Sequence, residues 1–235
     1  VEGFHALKHA LRVGAAPLEA VAVDPDRLER MAAELAPDLA GRFEPLVERI
    51  DPEVLAALVP LVPSTGVAAI VRRPRFDADA VLADPAPAPV VLLEQPRNMG
   101  NIGACVRVAA AAGAAAVLST GENDPWHPDA VRGAAGLHFA LPVGGVEGPP
   151  ESERPLLAVD PEGEPLMPGR LPARAVLAFG TERHGLSGEL LERADGRVAI
   201  PMRAGVSSLN LATSVAVVLF AQRLQRADGE ERMRT

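Results

Sequence analysis

The stretch QPRNMGNIGACVR, Gln95–Arg107, follows the apolar run Val90–Leu93 and leads into an alanine-rich helical pattern. A polar, glycine-containing turn between a strand and a helix is where open α/β sheets build ligand sites, at the carboxyl ends of their strands. Two further stretches repeat that arrangement: AFGTERHGLSGE, Ala178–Glu189, and IPMRAGVSSLNLATS, Ile200–Ser214. Glycine lets backbone approach a ligand closely, while Asn, Ser, Glu and Arg offer oriented hydrogen bonds. The three turns are expected to converge on one pocket.

Outward from these turns the chain reads as α/β throughout. Strands are expected at Ala115–Leu118, Leu156–Val159, Ala175–Phe179 and Val198–Ile200, with helices over Ile102–Ala112, near Ser187–Ala194 and from Ser208 to about Arg226. A strand, turn, helix and strand in succession imply a parallel sheet. Residues 1–73 form a smaller α/β unit: Phe4, Leu7, Ala10 and Leu11 fall at helical spacing, Leu18–Val23 reads as a strand, and Asp24 is placed to cap a second helix. A strand at Leu46–Ile50, a helix opened by Asp51 and a strand at Val67–Val71 complete it. Residues 74–89 carry Pro74, Pro85, Pro87 and Pro89 without apolar periodicity, the pattern of a semi-rigid linker. The second domain spans 90–228, and the polar residues 229–235 read as a frayed tail.

Composition narrows the function classes. The 235 residues are 48% hydrophobic, enough for a sizeable core, and no run reaches the length of a membrane span. The opening does not read as a signal peptide. Cys105, the single cysteine, excludes an intramolecular disulfide and a cysteine-cluster metal site, which fits a reducing, cytoplasmic setting. His127 and His138 lack metal-ligand spacing, so no metal is expected. There is no GxGxxG and no P-loop. The net charge of −8 should repel RNA globally, yet Arg72, Arg73, Arg75, Arg97, Arg107, Arg132, Arg183 and Arg203 cluster at the domain junction or in the turns. A local arginine-lined cleft is a sufficient footprint for a polyanion.

Taken together, Asn101, Gly103 and Arg107 of the first turn, FGTERHGLS (179–187) of the second, and IPM (200–202) with SLN (208–210) of the third resemble the SpoU/TrmH family of RNA ribose 2'-O-methyltransferases in the SPOUT superfamily. The opening VEGFHALKHAL, Val1–Leu11, resembles the start of the L30e-like substrate-binding domain that often precedes the catalytic domain, so the likeness covers nearly the whole chain. It implies an L30e-like α/β domain, a SPOUT α/β domain with a C-terminal trefoil knot, S-adenosylmethionine as cofactor, a structured RNA substrate with rRNA favoured over tRNA, and a homodimer. The dimer is expected through the last helix, whose apolar positions Val215, Val218, Leu219 and Leu224 make a face wider than one domain requires; core burial is the competing explanation.

The resemblance assigns roles residue by residue. Arg107 takes the position of the family's essential arginine. Because guanidinium stays protonated, it suits anchoring a phosphate or stabilising an alkoxide better than acting as a base. Asn101 either caps its helix or bridges the turn to substrate, and both readings stand. Glu182 is either a surface carboxylate or a shaper of the pocket. Ser208 and Asn210 start the last helix, where Ser is a good N-cap, and also match the family's reaction centre. Leu177, Phe179, Gly180, Glu182, Ile200, Met202, Ser208 and Leu209 would wrap the cofactor, while Arg107, Arg132, Arg72 and Arg73 would meet RNA. His184 tempts as a base but reads better as a solvated loop residue. DPWHPDAVRGAAG (124–136) resembles the family's DPxxPxxxRxSxG segment with Ala134 in place of Ser.

The expected activity is methyl transfer from S-adenosylmethionine to a ribose 2'-hydroxyl. The acidic charge and Ala134 favour a competing class, a non-catalytic RNA-binding or ribosome-assembly protein that keeps the fold. A small-molecule enzyme using the turns as a phosphate cradle is weaker, because no nucleophile or acid/base pair stands out.

Overall fold

A computed structural model describes residues 1–167, 171–181 and 184–234. The chain divides into two compact units, one comprising Val1–Arg75 with Ala135–Ala140, the other Phe76–Ala134 with Leu141 onward.

The first unit contains α1 (Phe4–Arg12), β1 (Pro17–Ala22), α2 (Pro25–Leu35), β2 (Glu48–Arg49), α3 (Pro52–Leu58) and β3 (Val67–Val71). Its sheet has the order β2-β1-β3, with β1 parallel to β2 and antiparallel to β3. The helical spacing of Phe4, Leu7 and Leu11 delivers these side chains to a core shared with Leu28, Phe43 and Val67. Asp24 caps α2 as expected, its carboxylate accepting from the Arg27 N–H at 2.9 Å. Asp51 occupies the cap position of α3 without a side-chain hydrogen bond. The strand expected over Leu46–Ile50 shrinks to the two residues of β2, because Glu44–Leu46, with Pro45 inside it, winds into a 3-10 turn.

The second unit adds α4 (Ala78–Ala83), β4 (Val90–Leu93), α5 (Met99–Ala112), β5 (Ala116–Ser119), α6 (Pro128–Gly133), β6 (Val143–Gly145), β7 (Leu156–Pro165), β8 (Val176–Phe179), α7 (Gly188–Arg193), β9 (Gly196–Ala199) and α8 (Leu211–Arg234). Six strands in the order β6-β5-β4-β8-β7-β9 form one sheet in which every pairing is parallel. Every residue of β4, β5 and β8 is buried, as expected for a sheet covered on both faces. Period-two alternation divides them. Val91, Leu93, Val117, Leu177 and Phe179 join α5 and α8 through Ile102, Val106, Val215 and Val218, whereas Val90, Leu92, Leu118 and Val176 meet Leu82 of α4 and Leu190 of α7.

Several expectations give way to tertiary packing. Residues 76–89 of the presumed linker belong to the second unit and contain α4, whose Leu82 is buried. The guanidinium of Arg154 fastens it by donating to the carbonyls of Val81, Leu82, Asp84 and Ala88, as well as to that of Arg174. β7 runs on to Pro165 rather than stopping at Val159, and α8 begins at Leu211 and continues to Arg234, through most of the expected tail. Of the apolar positions assigned to a dimer face, Val215, Val218 and Leu219 are core residues. Leu224 is exposed, as are Val217 and Phe220 among the described side chains of α8. Among the described residues no helix is long and apolar enough to cross a membrane, and no group of three potential ligands could hold a metal ion.

Candidate active site

At the carboxyl edge of the sheet, the middle of β7, the end of β8 and the segment between β9 and α8 enclose a cavity of about 330 Å³. Its walls are Val159, Asp160 and Pro161 from β7; Phe179, Gly180, Thr181 and Gly185 from β8 and its turn; and Ile200, Met202, Ser207, Ser208, Leu209, Leu211 and Ser214. The second and third sequence turns therefore meet, as expected. The first does not line the cavity. It meets the site where the Asn210 Nδ2 donates to Asn101 Oδ1 at 3.1 Å.

The turn after β8 closes on itself. Thr181 and Gly185 exchange backbone hydrogen bonds of 3.1 and 2.9 Å, and the His184 N–H donates to Thr181 Oγ1 at 3.2 Å. Gly180 is needed there because a Cβ would stand 2.0 Å from the Gly185 carbonyl carbon. The next helix, α7, is capped by Ser187, whose Oγ accepts from the Leu190 N–H. That hydroxyl also donates to Glu94 Oε1 at 2.6 Å, and the Ser187 N–H donates to Glu94 Oε2 at 2.7 Å. Glu94 directly follows β4 and is itself buried, so it ties the strand feeding the first turn to the loop that walls the cavity.

The cap of α5 separates the two asparagines of the first turn. Asn98 Oδ1 accepts from the Asn101 N–H at 2.9 Å, so Asn98 is the cap and the Asn101 side chain is turned to Asn210. Likewise Asn210, not Ser208, caps α8: its Oδ1 accepts from the N–H groups of Ala212 and Thr213. Ser208 is a cavity wall residue.

The remaining assignments divide. Phe179, Gly180, Ile200, Met202, Ser208 and Leu209 line the cavity, but Leu177 is fully buried in β8 and supports it from within the sheet. Glu182 lies outside the described residues, as does Arg183. Arg107 is exposed on α5 and stands outside the cavity wall. Arg132 on α6 donates to Asp129 at 2.8 Å, and Ala134 beside it is fully buried in the core. Arg72 and Arg73 are exposed residues of the first unit. Asp160 and Pro161 escape sequence reasoning because the expected strand stops at Val159, short of the observed β7; the Asp-Pro pair immediately after that apolar run is the available signal. Sequence reasoning also passed over Thr181, Gly185, Ser207 and Ser214, which lie inside the quoted turns, and Glu94.

Apolar side chains, several hydroxyls and a carboxylate around one concave site suit a small nucleoside-like ligand, and the volume lies at the lower end of the usual range for such pockets. Residues 88–220 match the SpoU rRNA Methylase family. The chain belongs to that family. As a SpoU methylase it is an S-adenosylmethionine-dependent RNA methyltransferase. It is 34% identical to an uncharacterized tRNA/rRNA methyltransferase of Mycobacterium bovis over 206 residues, covering 82% of this chain and 70% of that one. It is 29% identical to the 23S rRNA (adenosine(1067)-2'-O)-methyltransferase of Streptomyces azureus, covering 96% and 86%. The SpoU methyltransferase AviRb from Streptomyces viridochromogenes superposes with a TM-score of 0.79 at 26% identity over 97% of this chain and 90% of its own. AviRb has also been crystallised in complex with AdoMet.

Proposed function

We propose that this SpoU methylase transfers a methyl group from S-adenosylmethionine to a ribose 2'-hydroxyl of structured RNA, with rRNA as the favoured substrate. The observation that carries the reading is the Asn101–Asn210 hydrogen bond, which joins the turn bearing Arg107 to the segment lining the cavity. The 2'-O-methyltransferase of Streptomyces azureus, similar along most of this chain, supports the choice of ribose and of rRNA.

In this reading the cavity between β7, β8 and the Ile200–Leu211 segment holds the cofactor. Phe179, Ile200, Met202, Leu209 and Leu211 supply apolar surface for an adenine ring, and Thr181, Ser207, Ser208 and Ser214 supply hydroxyls. Bound there, the cofactor contributes a methyl group on a sulfonium centre. The protein's part is to hold a ribose in line with it, where positioning alone lowers much of the barrier. Asn101 and Asn210 set the distance between the two half-sites. Arg107 anchors the RNA phosphate or stabilises the developing alkoxide, and Arg132 extends the cationic surface. Arg72 and Arg73 of the L30e-like first unit add RNA contacts. The reading includes the trefoil-knotted threading of the C-terminal segment and a homodimer formed through Val217, Phe220 and Leu224, which lie on one face of α8.

Incubation with methyl-labelled S-adenosylmethionine and total rRNA or tRNA tests the reading. Label should appear as a 2'-O-methylated nucleoside in rRNA. Label on a base would refute it. Binding of RNA without label transfer, and without calorimetric binding of the cofactor at millimolar concentration, would favour the non-catalytic assembly protein.

A further inference from the structure

β7 leaves its partner in the middle of its length. Val159 pairs with Val198 of β9, and so does Glu164, so the four residues Asp160, Pro161, Glu162 and Gly163 bulge out of the ladder before pairing resumes at Glu164 and continues with Pro165 and Ala199. Bulges next to ligand sites re-aim side chains. This one directs Asp160 and Pro161 to the cavity wall. Its return passes so close to β9 that a Cβ on Gly163 would lie 2.5 Å from the Val198 nitrogen.

The bulge also holds the carboxylate. Asp160 Oδ1 accepts from the Glu162 N–H at 2.9 Å, which leaves Oδ2 without a hydrogen bond to any described residue. The other described wall residues are apolar, glycine or hydroxyl-bearing, so Asp160 is the one described group in the wall with a formal charge. A carboxylate in a partly enclosed, low-dielectric cavity acts more strongly on a cation than it would in water.

We infer that Asp160 is a specificity-determining residue that favours the positively charged sulfonium cofactor over its neutral thioether product, S-adenosylhomocysteine. The inference rests on the assignment of this cavity to S-adenosylmethionine. Transfer moves the methyl group to the ribose oxygen, returns the S–CH3 bonding pair to sulfur and releases the hydroxyl proton to solvent, so the ligand's net charge falls by one. The attraction to Asp160 falls with it, and the product is released more readily than the donor. A wall lacking that carboxylate would discriminate less between donor and product.

Calorimetry of the full-length protein with each ligand decides the matter, using Asp160→Asn, which retains the Oδ1 acceptor for the Glu162 N–H, and Asp160→Glu, which retains the charge. Asp160→Asn should weaken S-adenosylmethionine about tenfold, equivalent to about 1.4 kcal/mol, and leave S-adenosylhomocysteine within about twofold. Asp160→Glu should keep most of the preference. Equal weakening of both ligands by Asp160→Asn, or no change in either, overturns the inference. Failure of the unaltered protein to bind either ligand would instead sink the assignment of the cavity itself, so the two failures are distinguishable.

Discussion

Asn101 and Asn210, 109 positions apart in the chain, meet side chain to side chain at 3.1 Å. The geometry orients both amides. Because Asn210 Oδ1 is engaged by the N–H groups of Ala212 and Thr213, its Nδ2 faces Asn101, which must present oxygen in return. Urea denaturation of Asn101→Ala, Asn210→Ala and the double variant should give a coupling of about 0.5–1 kcal/mol. Asn210→Ala should cost about 1 kcal/mol more than Asn101→Ala, because it also removes a helix cap. Strict additivity would mean that the contact contributes nothing.

Arg107 is exposed on α5 and stands apart from the cavity, so its removal should spare both the fold and cofactor binding. Arg107→Ala should lower the methylation rate by about 10²–10³-fold, the usual loss when one charge-stabilising donor is deleted. The thermal midpoint and the calorimetric affinity for S-adenosylmethionine should stay nearly constant. A variant with full activity would remove Arg107 from the reaction.

Arg154 is only 3% exposed, and its partners are the five carbonyls of Val81, Leu82, Asp84, Ala88 and Arg174. Arg154→Leu leaves those acceptors unsatisfied and should destabilise the second unit by about 3 kcal/mol in urea titrations. Arg154→Lys should recover little of this, since one ammonium cannot reproduce a planar fork of five donors.

His9 is half-buried on α1. Burial first, and then the neighbouring charges of Lys8, Arg12 and His5, hold its imidazole at about 4 rather than 6.5. The unfolded chain takes up a proton at His9 below pH 6.5, whereas the native chain does so only near pH 4, so this contribution to stability is complete above pH 6.5 and lost on acidification towards 4. Solvent screening at a half-exposed site keeps it to about 1 kcal/mol. His9→Gln should therefore show a shallower fall in urea midpoint between pH 6.5 and 4 than the unaltered protein; parallel curves would contradict the assignment.

Local chemistry carried much of the fold. Val67–Val71 and Val90–Leu93 were readable as strands to the residue, because a short apolar run bounded by turn residues needs no distant partner to be recognised. The Asp24 cap was legible for the same reason. The linker was misread because the burial of Leu82 and the anchoring of α4 depend on Arg154, 72 residues beyond Leu82.

By itself the sequence determined the α/β class, the parallel sheet and the two turns that wall the cavity, since periodicity, turn residues and helix caps act within a few positions of one another. Which of two nearby asparagines caps and which reaches across, which face of α8 is core, and that Asp160 enters the cavity at all were decided only by the tertiary structure. Each of these depends on where a second segment lies: Asn210 for Asn101, the sheet for Val215 and Val218, and β9 for the bulge that turns Asp160 inward. Such juxtapositions arise from packing between distant parts of the chain, and spacing along the sequence holds no record of them.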